Sequence, residues 1–400
     1  MNKISVLATG VCAAACGAAV FAAPASAPPP VASYWMDVAT TSGFGAGMTG
    51  QGGGRPSMGQ IMGMMSGNAP SVTHKLELRL ASKTRPASAP QANHLVPPGL
   101  QMGPSLPLIT PQSAKPVRES YGMPQGYEKP KGKMLIYWGC GEHAAAGQPT
   151  VIDFAKVAAG QAPPGMAAMS SIARTVNAPR SGAGFGEWPN NKDHRAVPAT
   201  GSLLGAHKVE GNYSPPIGFS LAQDFMPGLN LRQAGALPSG AVRLAWTQAP
   251  AATGYALAMF GANQSGDVVI WSSSKSAAMM PALDYLAPAE VKRLIANGHV
   301  LAPSVSECTV PAEVAKASPA GMIMAIGYGP EASFAETPKA PKWVAKARFK
   351  TTASLMLGMP QMGGMEGGTT PAGQRQQPPK KKKKFGLGDV LKGAMGVPTE

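Results

Sequence analysis

The chain has 400 residues, 44% of them hydrophobic, and carries 35 Lys or Arg against 20 Asp or Glu for a formal net charge of +15. That apolar share excludes a wholly disordered chain and the length leaves room for two cored domains, while 49 Gly, 40 Pro and only 6% aromatic residues require low-complexity stretches beside the folded ones. Charge of this sign draws a protein to anionic lipid, lipopolysaccharide, cell-wall polymer or nucleic acid without choosing among them.

Residues 1–25 read as a secretory signal. Lys3 supplies the charged start, Ile4 to Phe21 an alanine-rich apolar run, and Ala22-Ala23-Pro24-Ala25-Ser26-Ala27 the small residues of a cleavage region. Pro28 disfavours a cut after Ala27, which leaves cuts after Ala22 or Ala25 equally open. The alternatives are a retained membrane anchor and, through Cys16, a lipoprotein signal. Export places the protein in the periplasm or outside the cell, and signal removal takes Cys12 and Cys16 with it. Cys140 and Cys308 then remain as an even pair in an oxidising compartment, which predicts a disulfide.

Residues 26–70 read as a Pro/Gly/Met-rich linker, in which Tyr34 to Val38 is a short apolar patch able to add a strand or dock on a core. A first β-rich module with long loops is expected over 71–235. In Val72 to Leu80, Leu76, Leu78 and Leu80 face one way and Lys75, Glu77 and Arg79 the other, giving a strand with a solvated face. Ala81 to Pro130 is dense in proline and reads as an irregular surface connection. Lys133 to Trp138 is a buried strand ending at Cys140, Thr150 to Val157 is ambiguous between strand and helix, Gly160 to Val209 is loop-rich, and Ile217 to Leu221 is a short strand.

A second β module is expected over 236–357. Ala241 to Trp246, Thr253 to Phe260 and Asp267 to Trp271 are three strands separated by turn residues, with Val242, Leu244, Trp246, Tyr255, Val269 and Trp271 assigned to one core. The run VRLAW, a Pro-containing turn, ATGYALAM, a polar loop and DVVIW resembles the B, C and C′ strands of fibronectin type III and immunoglobulin-like sandwiches. The likeness covers residues 237–274 and implies architecture alone. Gly132 to Trp138 and Gly266 to Trp271 share an outline of glycine, charge, aliphatics and an aromatic end; two related modules and chance similarity of buried strands both account for it. Ala287 to Gly298 is a helix, with Pro288 at its first position, Glu290 in its first turn and Gly298 as its stop. Ala320 to Tyr328 and Trp343 to Leu355 read as strands. The expected fold is therefore mainly β, of one or two sandwich-like modules with long irregular loops, one short helix and disordered termini.

No Walker loop, G-x-S-x-G elbow, H-E-x-x-H, paired C-x-x-C or nucleic-acid-binding motif is present in the sequence. Cys140-Gly141-Glu142-His143 reads as a disulfide end with solvated neighbours; the sharper alternative is a cysteine nucleophile beside His143, or a partial metal site with Glu142. The six histidines, His74, His94, His143, His194, His207 and His299, are scattered singly and read as ordinary residues. Met356, Met359, Met362 and Met365 recur every third residue, and Met58, Met62, Met64 and Met65 form a looser run. Thioethers favour Cu(I), so copper is the alternative cofactor to none. In the tail, 358–400, Lys380, Lys381, Lys382, Lys383 and Lys384 precede Phe385, Leu387 and Leu391, a pairing of charge and apolar residues suited to an anionic membrane, against the alternative of a solvated spacer. These features add up to an exported, envelope-associated, non-enzymatic binding or structural protein. A periplasmic copper binder and a hydrolase whose site leaves no local motif are the alternatives.

Overall fold

The computed structural model of the chain describes residues 28–43, 46, 72–111, 132–161, 173–277 and 284–358, and within them the fold is mainly β, as expected. β1 (Ala32–Gly43) and β2 (Val72–Ser82) come first, then the short β3 (Ala92–Leu95) and β4 (Ser105–Leu108). β5 (Lys133–Trp138) and β6 (Thr150–Asp153) follow, the latter running into helix α1 (Phe154–Ala158). Next are β7 (Gly184–Trp188), β8 (Gly205–Gly211), β9 (Ser214–Leu221) and β10 (Arg232–Ala236). β11 (Val242–Ala245), β12 (Gly254–Ala262) and β13 (Val268–Ser272) lead to helix α2 (Pro288–Ala296). β14 (Glu307–Val310), helix α3 (Ala312–Ala317), β15 (Gly321–Ala335) and β16 (Trp343–Leu357) complete the order.

These strands make three sheets. The largest runs β6-β5-β13-β12-β15-β16-β1-β2-β7, and the others are β4-β3-β8-β9 and β10-β11-β14. The large sheet takes strands from both 71–235 and 236–357, so the two stretches share one framework. β1, read as a patch in a linker, is an interior strand. It pairs parallel with β16 from Ala32↔Trp343 to Gly43↔Ser354 and antiparallel with β2 on its other side. Its alternation explains this, since Tyr34, Met36 and Val38 are buried on the face shared with Leu76, Leu78 and Leu80. The similar stretches at 132–138 and 266–271 are neighbours, β5 and β13 pairing in parallel with Val268↔Met134 and Trp271↔Tyr137.

The inner face of the large sheet is covered by the two smaller ones. On one half Phe219 of β9 packs against Tyr34 and Phe334, with ring centroids 6.1 and 4.9 Å away. On the other, Trp246 packs 5.5 Å from Tyr255, and all six residues assigned to one core (Val242, Leu244, Trp246, Tyr255, Val269 and Trp271) belong to a single buried cluster. The Cys140–Cys308 disulfide forms as expected, with Cα atoms 5.2 Å apart, and ties the end of β5 to β14 of the three-stranded sheet. On the outer face, α2 covers β12 and β15 through Val291 and Leu294 against Ala256 and Ile326.

Several local expectations need correction. Ala81 to Pro130 contains β3 and β4, and Gly160 to Val209 contains β7 and the start of β8. The ambiguous 150–157 segment is both strand and helix, divided where the Asp153 side chain accepts a hydrogen bond from the Ala155 N–H and caps α1. The helix at 287–298 forms as read, and α1 and α3 stand beside it. Residues 1–25, most of the 26–70 linker and all of the tail beyond Gly358 lie outside the described residues.

The histidines are not all solitary. The Tyr34 hydroxyl lies 2.6 Å from His94 Nδ1, His94 Nε2 lies 2.9 Å from His207 Nδ1, and His207 Nε2 lies 2.7 Å from the Leu203 carbonyl. The carbonyl only accepts, so each proton in the chain is assigned: His207 donates to Leu203, His94 donates to His207, and Tyr34 donates to His94. This is a fully satisfied neutral relay joining the large sheet to the four-stranded one. Burial lowers both imidazoles below their ordinary value, His94 furthest, with His207 adding to its shift. The unfolded chain takes up these protons as pH falls through about 6.5 while the folded chain refuses them, so the relay's contribution is complete above that pH and is lost below it. Urea unfolding between about pH 7 and 5 should therefore show stability falling with acid, and more steeply than in a His94→Gln/His207→Gln variant; parallel profiles would contradict this.

Candidate functional site

Odd-numbered residues of β1 and β2, and even-numbered ones of β16, point to the outer face, beyond the reach of α2. Asp37, Arg348 and Glu77 stand side by side in register there, as do Ala39, Lys350 and Lys75. Arg348 holds Asp37 with two parallel hydrogen bonds of 2.7 Å each, and Arg79 adds a third at 3.1 Å. The other fork of Arg79 binds Glu77 at 2.8 Å, and the remaining Arg348 nitrogen donates to the Val176 carbonyl at 2.6 Å. The Arg348 guanidinium lies between two rings, 4.8 Å from Trp35 and 4.7 Å from Tyr285, and the Lys350 ammonium sits 4.2 Å over Tyr285.

Two loop segments, 173–180 and 284–287, roof this charged surface. Arg174 donates its backbone N–H to Glu290 of α2 at 2.8 Å, and Val176 is held by Arg348, so the first segment is fastened to both the helix and the sheet. Arg293 grips the same carboxylate and brings Glu290 down to about 2, well below the ordinary carboxylate value. Between roof and sheet is a half-open, mainly polar cavity of about 210 Å³, to which Lys75, Asn177, Arg180, Asp284, Tyr285 and Lys350 contribute. Burial, and then the nearby carboxylates Asp37 and Glu77, push the Tyr285 hydroxyl well above its ordinary value, so it stays protonated. Burial lowers the Lys350 ammonium, and Asp284, Glu77 and Asp37 offset only some of that effect.

The residues singled out from sequence are placed elsewhere. Cys140 is consumed by the disulfide, so it offers no thiol, and His143 pairs instead with the exposed Glu313 at 3.1 Å. A second, wider cavity of about 560 Å³ lies beside the disulfide, between the 138–141 turn and the end of α2. Near it, Ser274 approaches His299 Nδ1 at 3.0 Å, the arrangement of a hydrolase dyad, yet Ser274 is only 2% exposed and no described carboxylate hydrogen-bonds His299. That pair clamps a turn, since Ser276 shares the same nitrogen at 3.3 Å. Met356 lies in β16 opposite Met322; Met359, Met362 and Met365, like the looser run at Met58, Met62, Met64 and Met65, are outside the described residues. Lys380 to Lys384, Phe385, Leu387 and Leu391 are outside them too. Among the described residues no cluster of three or more His, Cys, Asp or Glu is placed to hold a metal ion.

The charged cavity corrects the expectation of a solvated face on β2, because Lys75, Glu77 and Arg79 are half-buried beneath the roof. The usable signal in the sequence is a second period-two charge pattern, Lys346, Arg348 and Lys350 between inward Ala345, Ala347 and Phe349, together with an aspartate inside the apolar patch of β1. Comparison with family models, curated proteins and solved structures finds no match to the chain.

Because Asp37 and Arg348 are both almost fully buried, removing one charge strands the other. Asp37→Asn should cost about 3 kcal/mol or more, and Asp37→Leu/Arg348→Met should cost less than the single change. Paired chemical-denaturation curves check this, and a single variant as stable as the parent would refute it.

Proposed function

We propose that this is an exported, envelope-associated protein that binds a small polar ligand rather than transforming one, with the cavity over β16, β1 and β2 as its binding site. The observation that carries the reading is the convergence of charged and aromatic side chains from three strands and two loops on one half-enclosed space. The core of that cluster, Asp37 with Arg348, is rigidly satisfied and gives a bound molecule a fixed wall.

A thermal-shift screen of the full chain against small anions, cations and neutral polar compounds tests the binding. A true ligand at about a hundred times its Kd stabilises by about 2.7 kcal/mol, a rise of several degrees in Tm. No shift from any class would remove the reading.

Association with the envelope falls to the tail, in which Lys380 to Lys384 supply charge while Phe385, Leu387 and Leu391 supply apolar area. The full chain should co-sediment with anionic vesicles at low salt, lose that binding when residues 379–400 are deleted, and release as salt shortens the Debye length. Equal sedimentation of the full and shortened chains would leave the tail as a spacer.

A further inference from the structure

We propose that the cavity over β16, β1 and β2 is a site for a small oxyanion, a carboxylate or a phosphate, received by Lys75, Arg180 and Lys350. The inference rests on the binding reading above and names its ligand class.

Among the groups lining the cavity, Asp37, Glu77, Arg79 and Arg348 close on one another: two carboxylates meet two guanidiniums through hydrogen bonds of 2.7 to 3.1 Å. That set is neutral and geometrically complete. The other charges in the lining are Lys75, Arg180 and Lys350 against the single carboxylate of Asp284, three cations facing one anion. Neither Lys75 nor Arg180 makes an ion pair within 4.0 Å among the described residues. Lys350 rests on the Tyr285 ring, and the carboxylates around it do not restore the ammonium to its ordinary value. Even with Lys350 left aside, Lys75 and Arg180 outnumber Asp284, and such an excess of positive charge in a partly desolvated space is what an oxyanion would offset, with hydrogen bonds stronger than in water.

Size and donors agree with this. About 210 Å³ accommodates a phosphate or a short carboxylic acid. Around the three cations, the Asn177 amide and the protonated Tyr285 hydroxyl supply neutral donors, and the aromatic ring supplies a flat wall. A cationic ligand would find one carboxylate outside the closed set, Asp284, beside three positive charges.

The test is calorimetric titration of the full chain with inorganic phosphate and, separately, with succinate, each matched in ionic strength with sodium chloride so that screening of the basic chain is subtracted. At least one should bind with saturation, and the two arms distinguish phosphate from carboxylate. Lys75→Gln/Arg180→Gln should weaken that binding about a hundredfold, about tenfold for each charge-assisted hydrogen bond removed. Lys292→Gln, exposed on α2 away from the cavity, should leave it unchanged. Binding that survives the double change would overturn the site. If both oxyanions fail while a neutral or cationic compound stabilises the chain and loses that effect in the double variant, the oxyanion assignment falls and the binding reading stands. If no class binds, both fall.

Discussion

The parallel pairing of β1 with β16 is the constraint on which the rest of the molecule depends. It joins the first described strand to the last across more than 300 residues, in unbroken register over the full length of β1. Closing so large a loop costs chain entropy that the two strands offset only once both are in place. Without β1 the sheet would fall into two pieces, β6 to β16 on one side and β2 with β7 on the other, each with an open interior edge. The disulfide acts at the opposite end of the sheet, where it holds the short three-stranded sheet against β5 and leaves the central pairing to side chains and ladder bonds alone.

Register in that pairing is decided by both faces at once. A slip of one residue would turn Arg348 into the apolar interior and bring Ala347 or Phe349 to the charged surface, an exchange that costs burial on one face and ion pairing on the other. The Asp37–Arg348 pair therefore matters as a selector of register more than as a source of net stability, because desolvating two charges consumes most of what their attraction returns. The same groups fix the roof loop through Val176, so the contact that selects the register also shapes the cavity.

Strands whose own residues alternate are legible in the sequence: β2, β11, β12, β13 and β16 announce themselves through residues such as Leu76, Leu78 and Leu80 or Val242 and Leu244. β3 (ANHL), β4 (SLPL) and β7 (GFGEW) are not, because four or five residues with proline or glycine carry too little periodicity and become strands only by pairing. The shared outline of 132–138 and 266–271 is visible, but not that it reflects two strands lying side by side, with the Lys133 N–H donating to Asp267 at 2.8 Å. The cavity is hidden for the same reason. Its charges are distributed over β1, β2, β16 and two loops, and charged alternation looks the same whether water or a roof lies beyond it.

β1 shows why the proposed binding is placed on the outer face. On its inner side Tyr34 starts a relay of neutral imidazoles in which every proton is already assigned and every acceptor occupied, between sheets with no described carboxylate hydrogen-bonded to either ring. A ligand there would have to pry the sheets away from each other and replace bonds that are complete. Three residues further along the same strand, Asp37 faces outward into a charged cluster that is internally neutral, while Lys75 and Arg180 beside it make no ion pair among the described residues. The inner network is complete, whereas on the outer face Lys75 and Arg180 line a half-open cavity with no ion pair of their own among the described residues. The alternation of a single strand thus assigns cohesion to one face and the proposed recognition to the other.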